Sequence, residues 1–223
     1  MVTAIAEEYL EAIYRLGGRD EPVGLSSLAE LLNVVPGSVN EMVRRLEEQH
    51  LVRYTPYRGV MLEEEGLSQA LALVRRHRLW ERFLTDMLGI PWDMVHEEAC
   101  RLEHAASEQV TEKLSDLLGS PEHCPHGRAI SDTGRELSSD VAAIPLSDMA
   151  ARQEGQVAYI AREEPELLRY LDTLGIRPKT EVLLEQIAPF DGPLTVRVNG
   201  ALQVIGKAAA SAVFVRLGVE GGA

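Results

Sequence analysis

Residues 36–62, PGSVNEMVRRLEEQHLVRYTPYRGVML, combine a helical pattern with two short apolar stretches. Pro36 suits the first turn of a helix, and aliphatic residues then repeat at helical spacing. The apolar stretches lie on either side of residues 57–59, which predicts a small β-hairpin. Two further helices are predicted upstream, over residues 4–16 and 25–32. Three helices and a hairpin within about 60 residues are typical of a winged helix-turn-helix.

The third of these helices is the candidate recognition helix. Serine and asparagine in its first turn can donate to and accept from base edges, and a glutamate there can accept from cytosine N4. The arginines suit phosphates, so residues 35–62 carry four arginines and three glutamates in a chain of net charge −13. A helical packing module with a hairpin is the alternative. The DNA-contact candidates are Pro36, Gly37, Ser38, Asn40, Glu41, Arg44, Arg45, Arg53, Tyr57 and Arg58.

Composition restricts the class of protein. The chain has 223 residues, and a net charge of −13 argues against a non-specific polycationic coat for nucleic acid. Weak binding by one chain is therefore expected, and dimerisation would double the contacts. Two cysteines are too few for a disulfide scaffold. The acidic N-terminus and the lack of a long apolar run predict a cytoplasmic protein with reduced thiols and no membrane partner.

The rest of the chain divides by pattern. A long helix is predicted from about residue 65, a second over residues 93–118, and a linker over 135–147. Residues 158–176 are predicted to be a short helical element. Apolar alternation between Gly and Pro turns then predicts strands, and five strands or fewer suggest a small barrel. The predicted domains are residues 1–72, 73–135 and 148–219.

Candidate metal ligands cluster on the two central helices. His77 and Glu81 are spaced i, i+4 and share a helix face. Each residue alone is more often a solvated or core side chain, but their joint spacing favours a site for one or two divalent ions. Nitrogen, oxygen and sulfur ligands together suit a first-row transition metal. On the second helix His96, Cys100 and His104 are spaced i, i+4, i+8, and Glu103 joins them.

Two more pairs could contribute ligands. Glu8 and Glu11 are spaced i, i+3 on the first helix, although acidic residues are favoured at a helix start in any case. Cys124 and His126 form a Cys-Pro-His sequence, which is either a compact ligand pair or a tight proline turn.

Because of these residues, the sequence resembles the diphtheria toxin repressor family of metal-dependent regulators. Within that family it is similar to the manganese transport regulators. The resemblance rests on EEYLEAIYRL, PGSVNEMVRRLEEQHLV, RRHRLWERFLTDMLGI, VHEEACRLEH and CPHGRAI. It implies a homodimeric repressor of operator DNA, mainly α-helical with a small β component. The implied parts are a winged helix, a helical metal-binding and dimerisation domain, and a tethered SH3-like barrel of the FeoA type.

The resemblance also implies two metal sites. The primary site would use the first helix and the later helix, with Glu11 and His77 added in the manganese-sensing branch. The ancillary site would use Glu81 either with His77 and His96 or with the Cys-Pro-His loop, and the barrel could add Glu163 or Glu166. The primary ligands carried over are Glu8, Cys100, Glu103 and His104; the loop ligands are Cys124 and His126.

The metal prediction is Mn(II), with Fe(II) as the alternative. The iron-sensing branch has Met where Glu8 stands, and the manganese-sensing branch often has Glu where Cys100 stands, so hard and soft ligands are mixed here. The predicted function is a metal-activated repressor of manganese or iron homeostasis genes and not an enzyme. The alternatives are an iron(II)-dependent repressor of iron uptake, a metal-independent DNA-binding regulator, or a carboxylate-histidine metallohydrolase.

Overall fold

The computed structural model describes residues 3–131 and 142–218. The described residues form two compact units, the first made of residues 3–77 and the second of residues 78–131 and 142–218. Within these ranges no helix is both long and apolar enough to cross a membrane.

The first unit is a winged helix, as predicted. Thr3 caps the first helix, its hydroxyl accepting from the Ala6 amide, and proline opens the third helix. The core consists of aliphatic residues from all three helices and the hairpin. The helices are α1 (Ala4–Arg15), α2 (Leu25–Leu31) and α3 (Pro36–Glu48), and the strands are β1 (Val52–Thr55) and β2 (Gly59–Leu62).

The hairpin requires a glycine at its turn. Thr55 pairs with Gly59, and Val23 bridges to Val60 on the other side of β2. Gly59 has φ 129°, and a Cβ there would lie 2.3 Å from the Val23 carbonyl oxygen. A side chain at this position would therefore separate the hairpin from the helices.

The central helices differ from the prediction in one respect. The long helix α4 spans Glu64–Asp86, close to its predicted start. The prediction of a single helix over residues 93–118 is wrong, because α5 (Val95–Glu103) ends before α6 (Glu108–Leu117) begins. Ser107 caps α6, its side chain accepting from the Val110 amide at 3.3 Å. That local cap competes with continuation of the helix.

The C-terminal part is an SH3-like antiparallel sheet of strand order β3-β8-β4-β5-β6-β7. Residues 135–141 of the predicted linker lie outside the described residues, and β3 lies in its remainder. The part after residue 148 has five strands, β4 to β8, which agrees with the predicted limit of five. Residues 158–160, expected in a helical element, belong to β4. The strands are β3 (Ala143–Pro145), β4 (Glu154–Ile160), β5 (Glu181–Ile187), β6 (Leu194–Val198), β7 (Ala201–Ile205) and β8 (Val213–Leu217); the helices are α7 (Pro165–Thr173) and α8 (Lys207–Ala210).

This sheet packs directly on the helices of the second unit. Trp92, from the segment between α4 and α5, is buried in the sheet's own hydrophobic core beside Leu168 and Leu171. The neighbouring Asp93 accepts from Arg169 on α7 at 3.3 Å. The segment between α4 and α5 is therefore anchored in the sheet's core, while the helices have hydrophobic clusters of their own.

Candidate metal centre

A buried carboxylate on α4 is the starting point of the candidate site. Glu81 is fully buried, with 0% exposure, and His77 lies one helical turn earlier on the same face, also buried. A carboxylate is rarely buried without a cation or strong donors beside it, because its desolvation is unfavourable. The surroundings of Glu81 must therefore supply positive charge.

The Cys-Pro-His loop brings two ligand groups to Glu81. The Gly127 amide donates to the Cys124 carbonyl at 2.9 Å and closes a four-residue turn. Proline at the second position and glycine at the fourth suit a type I turn. The Cys124 amide in turn donates to the Arg128 carbonyl at 2.9 Å, so the turn sits at the tip of a short hairpin-like loop. Ligand atoms of Glu81, Cys124 and His126 lie within 4.8 Å of one another.

The loop is held against strand β4. The Ile160 amide donates to the His126 carbonyl at 2.9 Å, and the Arg128 guanidinium stacks over the Tyr159 ring at 4.1 Å. Gly127 permits this approach, since a Cβ there would lie 2.2 Å from the Ala158 carbonyl oxygen. Strand β4 ends at Ile160, three residues before Glu163. One docking contact therefore positions both the loop and the sheet's carboxylate.

Two histidines face the same two carboxylates. His126 Nδ1 lies 3.2 Å from Glu81 Oε1 and 3.6 Å from Glu163 Oε1. His96 Nδ1 lies 2.8 Å from Glu163 Oε2 and 3.8 Å from Glu81 Oε1. We call Glu81, His96, Cys124, His126 and Glu163 the carboxylate–imidazole cluster. The two alternatives left open for the ancillary site, His96 or the Cys-Pro-His loop, are therefore brought together.

A backbone carbonyl fixes the orientation of His126. Its Nε2 lies 2.8 Å from the Trp92 carbonyl oxygen, which can only accept, so the proton is assigned to Nε2. A metal-binding histidine is commonly oriented by such a bond from its other nitrogen. In the neutral ring, the lone pair of Nδ1 would then point into the cluster. Sequence reasoning missed Trp92, because a carbonyl contact across 34 residues leaves no residue-type signal.

The surroundings of both imidazoles favour their protonated forms. Burial lowers the pKa of His126, but contacts with Cys124 and Glu81 outweigh burial and raise the pKa to about 12. Burial opposes ionisation of His96 too, while contacts with Cys100, Glu163 and Glu81 raise its pKa to about 11. Burial, and next the Glu81 charge, raise the pKa of the Cys124 thiol. A divalent cation in the cluster must therefore displace protons.

The cluster fits a first-row transition ion. Neighbouring ligand atoms around an octahedral ion with bonds of about 2.1 Å lie about 3 Å apart, and the nitrogen–oxygen distances here range from 2.8 to 3.8 Å. His126 Nδ1 is a buried atom with no hydrogen bond of good geometry among the described residues. Two carboxylates, two imidazoles and one thiol are the mixed ligand set that such ions accept.

The structure separates the two carboxylates offered by the sheet. Glu163 is in the cluster, with its side chain 18% exposed. Glu166, on the first turn of α7, is 84% exposed and lies 3.6 Å from Arg169 Nη2. Of the two candidates, only Glu163 is positioned to contribute a ligand.

The predicted primary ligands are divided between the two units. On α5, Glu103 is buried with its Oε1 3.4 Å from His104 Nε2, and Cys100 is half-buried. On α1, Glu8 is exposed and Glu11 is buried, with its Oε1 2.8 Å from Arg15 Nη2 in an ion pair. Each unit thus carries part of the predicted primary set, and the complete site stays a prediction.

The candidate DNA-contact residues form an exposed surface of the first unit. Asn40 Oδ1 accepts from Arg44 Nε at 3.1 Å, and Glu41 pairs with Arg45 at 2.9 Å. The Glu41 pairing neutralises a charge that would otherwise repel phosphate. All ten predicted positions are exposed, namely Pro36, Gly37, Ser38, Asn40, Glu41, Arg44, Arg45, Arg53, Tyr57 and Arg58.

Family models cover nearly all of the chain. Residues 1–60 match the N-terminal DNA-binding domain of iron-dependent repressors, and residues 63–132 match their metal-binding and dimerisation domain. Residues 144–217 match the FeoA domain. The matches support operator DNA and a second copy of the chain as partners.

Known relatives agree with these models. The iron-dependent repressor IdeR of Mycobacterium tuberculosis (strain ATCC 25618 / H37Rv) is 34% identical, covering 87% of this chain and 88% of that protein. The diphtheria toxin repressor of Corynebacterium efficiens is 33% identical, covering 88% of each. The solved structure of a manganese-dependent transcriptional repressor in complex with manganese is 34% identical, with TM-score 0.88 over 95% of this chain and 99% of that one.

These relatives are transcriptional repressors, which sets aside the alternative of a metallohydrolase. The resemblance seen in the sequence is confirmed. The chain belongs to the iron-dependent repressor family, which includes the diphtheria toxin repressor, and it is a metal-dependent, DNA-binding transcriptional repressor.

Proposed function

We propose that this repressor is activated by Mn(II), with Fe(II) as the alternative activator, and that it controls genes of manganese or iron homeostasis. The carboxylate–imidazole cluster is the observation that carries the proposal. It offers two carboxylates and two imidazoles against one thiol, and manganese prefers oxygen ligands and accepts imidazole. A manganese-bound relative with a TM-score of 0.88 supports the same choice.

Ligand number counters the intrinsic order of affinity. Site affinity alone ranks manganese below iron, copper and zinc. Structural zinc in proteins is almost always tetrahedral, with four ligands, whereas two overlapping sets of donor groups share Glu81 here, one with Cys124 and His126 and one with His96 and Glu163. A site that surrounds the ion with more than four groups favours ions that accept higher coordination.

The primary site is proposed to take its ligands from three helices. Its ligands are Glu8 and Glu11 from α1 and Cys100, Glu103 and His104 from α5, with His77 of α4 added. The domain limits remain those predicted from sequence, residues 1–72, 73–135 and 148–219. The dimerisation domain would hold two such chains as a homodimer on double-stranded operator DNA.

The mechanism follows from charge. Without a cation the carboxylates of Glu8, Glu11 and Glu103 repel one another if they converge, which leaves α1 loosely placed. A bound divalent cation supplies the neutralising charge. The chain's own carboxylates can then hold α1, and two recognition helices are fixed about one DNA turn apart. Because metal and DNA stabilise the same conformer, each strengthens binding of the other.

Replacing Glu8 by methionine should lower activation by manganese more than activation by iron(II). The change removes a hard oxygen donor and adds a soft thioether. Fluorescence anisotropy of labelled upstream DNA, titrated anaerobically with each metal, measures both effects. Equal losses would mean that Glu8 does not set selectivity. If the wild-type protein binds DNA with iron(II) and does not bind it at any concentration of manganese, the sensed ion is iron(II).

Replacing Arg58 by alanine in the hairpin should weaken binding to all DNA sequences. If Arg58 contacts one phosphate, the slope of log affinity against log salt should fall by about one unit. Ser38→Ala, at the start of α3, is the matched comparison, since it should change sequence preference more than salt dependence. A salt slope unchanged in Arg58→Ala would remove Arg58 from the phosphate contacts.

A further inference from the structure

One imidazole ring touches both candidate sites. His96 Nδ1 lies 2.8 Å from Glu163 in the carboxylate–imidazole cluster. Its Nε2 lies 3.8 Å from the sulfur of Cys100, one helical turn further along α5. Cys100 is a ligand of the proposed primary site, so the two nitrogens of a single ring face ligands of two different sites.

We propose that His96 couples the two metal sites, with Nδ1 serving the cluster and Nε2–H holding the Cys100 sulfur for the primary site. This rests on the proposed function of Cys100 as a ligand. An imidazole that coordinates through one nitrogen is a hydrogen-bond donor at the other. Sulfur at 3.8 Å is within reach of that donor, and a hydrogen bond to a charged ligand is stronger than one between neutral groups.

The coupling works through the position of the ring. In the metal-free chain the ring is held on one side by the Glu163 carboxylate, which belongs to the sheet. Coordination at Nδ1 would hold the same ring orientation more firmly, and a metal-bound Cys100 sulfur would hold it from the other side. Both occupied sites favour one orientation, so each raises the affinity of the other by the same factor. His96 is thus a positioning residue for Cys100.

The first test uses the thiolate-to-cobalt absorption band of the full-length protein loaded with Co(II). The chain has two cysteines, so a Cys124→Ser background makes Cys100 the sole source of the band. Disabling the cluster with His126→Ala should weaken the Cys100 site about fivefold or more, as coupled sites commonly do. With His96→Asn, whose amide can face the cluster but cannot reach Cys100, His126→Ala should have no further effect.

Different outcomes would overturn the coupling through His96 and the ligand role of Cys100. If His126→Ala weakens metal binding at the Cys100 site equally with His96 present and with His96→Asn, coupling through His96 is overturned. That result would leave the proposed primary site intact. Absence of the band in the Cys124→Ser protein would show that Cys100 is not a ligand, which overturns both. As a control, equilibrium dialysis should show that the His96→Asn protein still binds two metal ions per chain. A second measurement tests the coupling through His96 independently.

That second measurement is the nitrogen-15 spectrum of the protein loaded with Zn(II). It is recorded first on the wild-type protein, in which His96 and His126 are both present. The proposal predicts a protonated Nε2 and a metal-bound Nδ1 on His96. Replacement of Cys100 by alanine should shift the Nε2 resonance, because its hydrogen-bond acceptor is removed. A metal-bound Nε2 with a protonated Nδ1 would overturn the proposal, since His96 and Cys100 would then bind one ion together.

Discussion

Replacing Gly127 by alanine should remove the second metal ion and destabilise the second unit. The residue has φ +87°, and its Cβ would lie 2.2 Å from the Ala158 carbonyl oxygen and 2.8 Å from Tyr159 Cα. The left-handed conformation costs a side-chain-bearing residue about 1–2 kcal/mol, and overpacking adds about 1–3 kcal/mol. The loop would have to leave β4 and carry His126 away from Glu163. Metal stoichiometry should fall from two ions per chain to one.

Gly119→Ala is the matched control. Gly119 follows α6 with φ +73°, and nothing lies within 4 Å of an added Cβ. It therefore incurs the same backbone strain without the steric clash. Equilibrium dialysis with Mn(II) and urea unfolding should show a small loss of stability and full stoichiometry. If Gly127→Ala also keeps two ions at unchanged affinity, docking of the loop on β4 does not build the site.

Replacing Glu163 by glutamine should weaken the second metal ion by at least about 100-fold. The amide keeps the shape of the side chain but removes one charge beside the divalent ion. Two unit charges 4 Å apart interact by about 4 kcal/mol at an effective dielectric constant of 20, and each 1.4 kcal/mol is a factor of ten. The first ion should bind almost as before, apart from the coupling through His96. Stepwise Mn(II) affinities measured by isothermal calorimetry separate the two ions.

Glu166→Gln serves as the comparison, because it makes the same chemical change three residues away on an exposed side chain. It should leave both affinities unchanged within about twofold. Similar losses in the two variants would point to a general effect of charge on the sheet surface. Deleting the sheet is a poorer test than either substitution, since Trp92 is buried in the sheet's core and would be exposed.

Local signals in the sequence were enough for much of the fold. Pro36 at the start of a helix and the periodic aliphatic residues that follow it predicted a helix where α3 begins. The hairpin around residues 57–59 was predicted for the same reason, since turn chemistry and alternation are local. The i, i+4 spacing of His77 and Glu81 likewise predicted that both residues lie on one face of α4.

Features that depend on contacts between residues far apart in the chain could not be predicted from the sequence. Strand β4 was assigned in part to a helix, because its alternation is short and its pairing partners lie beyond residue 180. Spacing also left open whether His96 or the Cys-Pro-His loop accompanied Glu81. Docking of the loop on β4 through backbone hydrogen bonds, which no residue type reports, brings the loop to Glu81 beside His96. The contact between His126 and the Trp92 carbonyl could not be predicted from sequence for the same reason.

The proposed function requires that this chain bind DNA only when a divalent metal is bound. A mobility-shift assay on the DNA upstream of its own gene, with Mn(II), with chelator, and with chelator followed by excess Mn(II), tests it most directly. We expect a shifted complex with Mn(II), its loss with chelator and its return on adding excess Mn(II). A complex of equal strength in the presence of chelator would instead identify a metal-independent DNA-binding regulator.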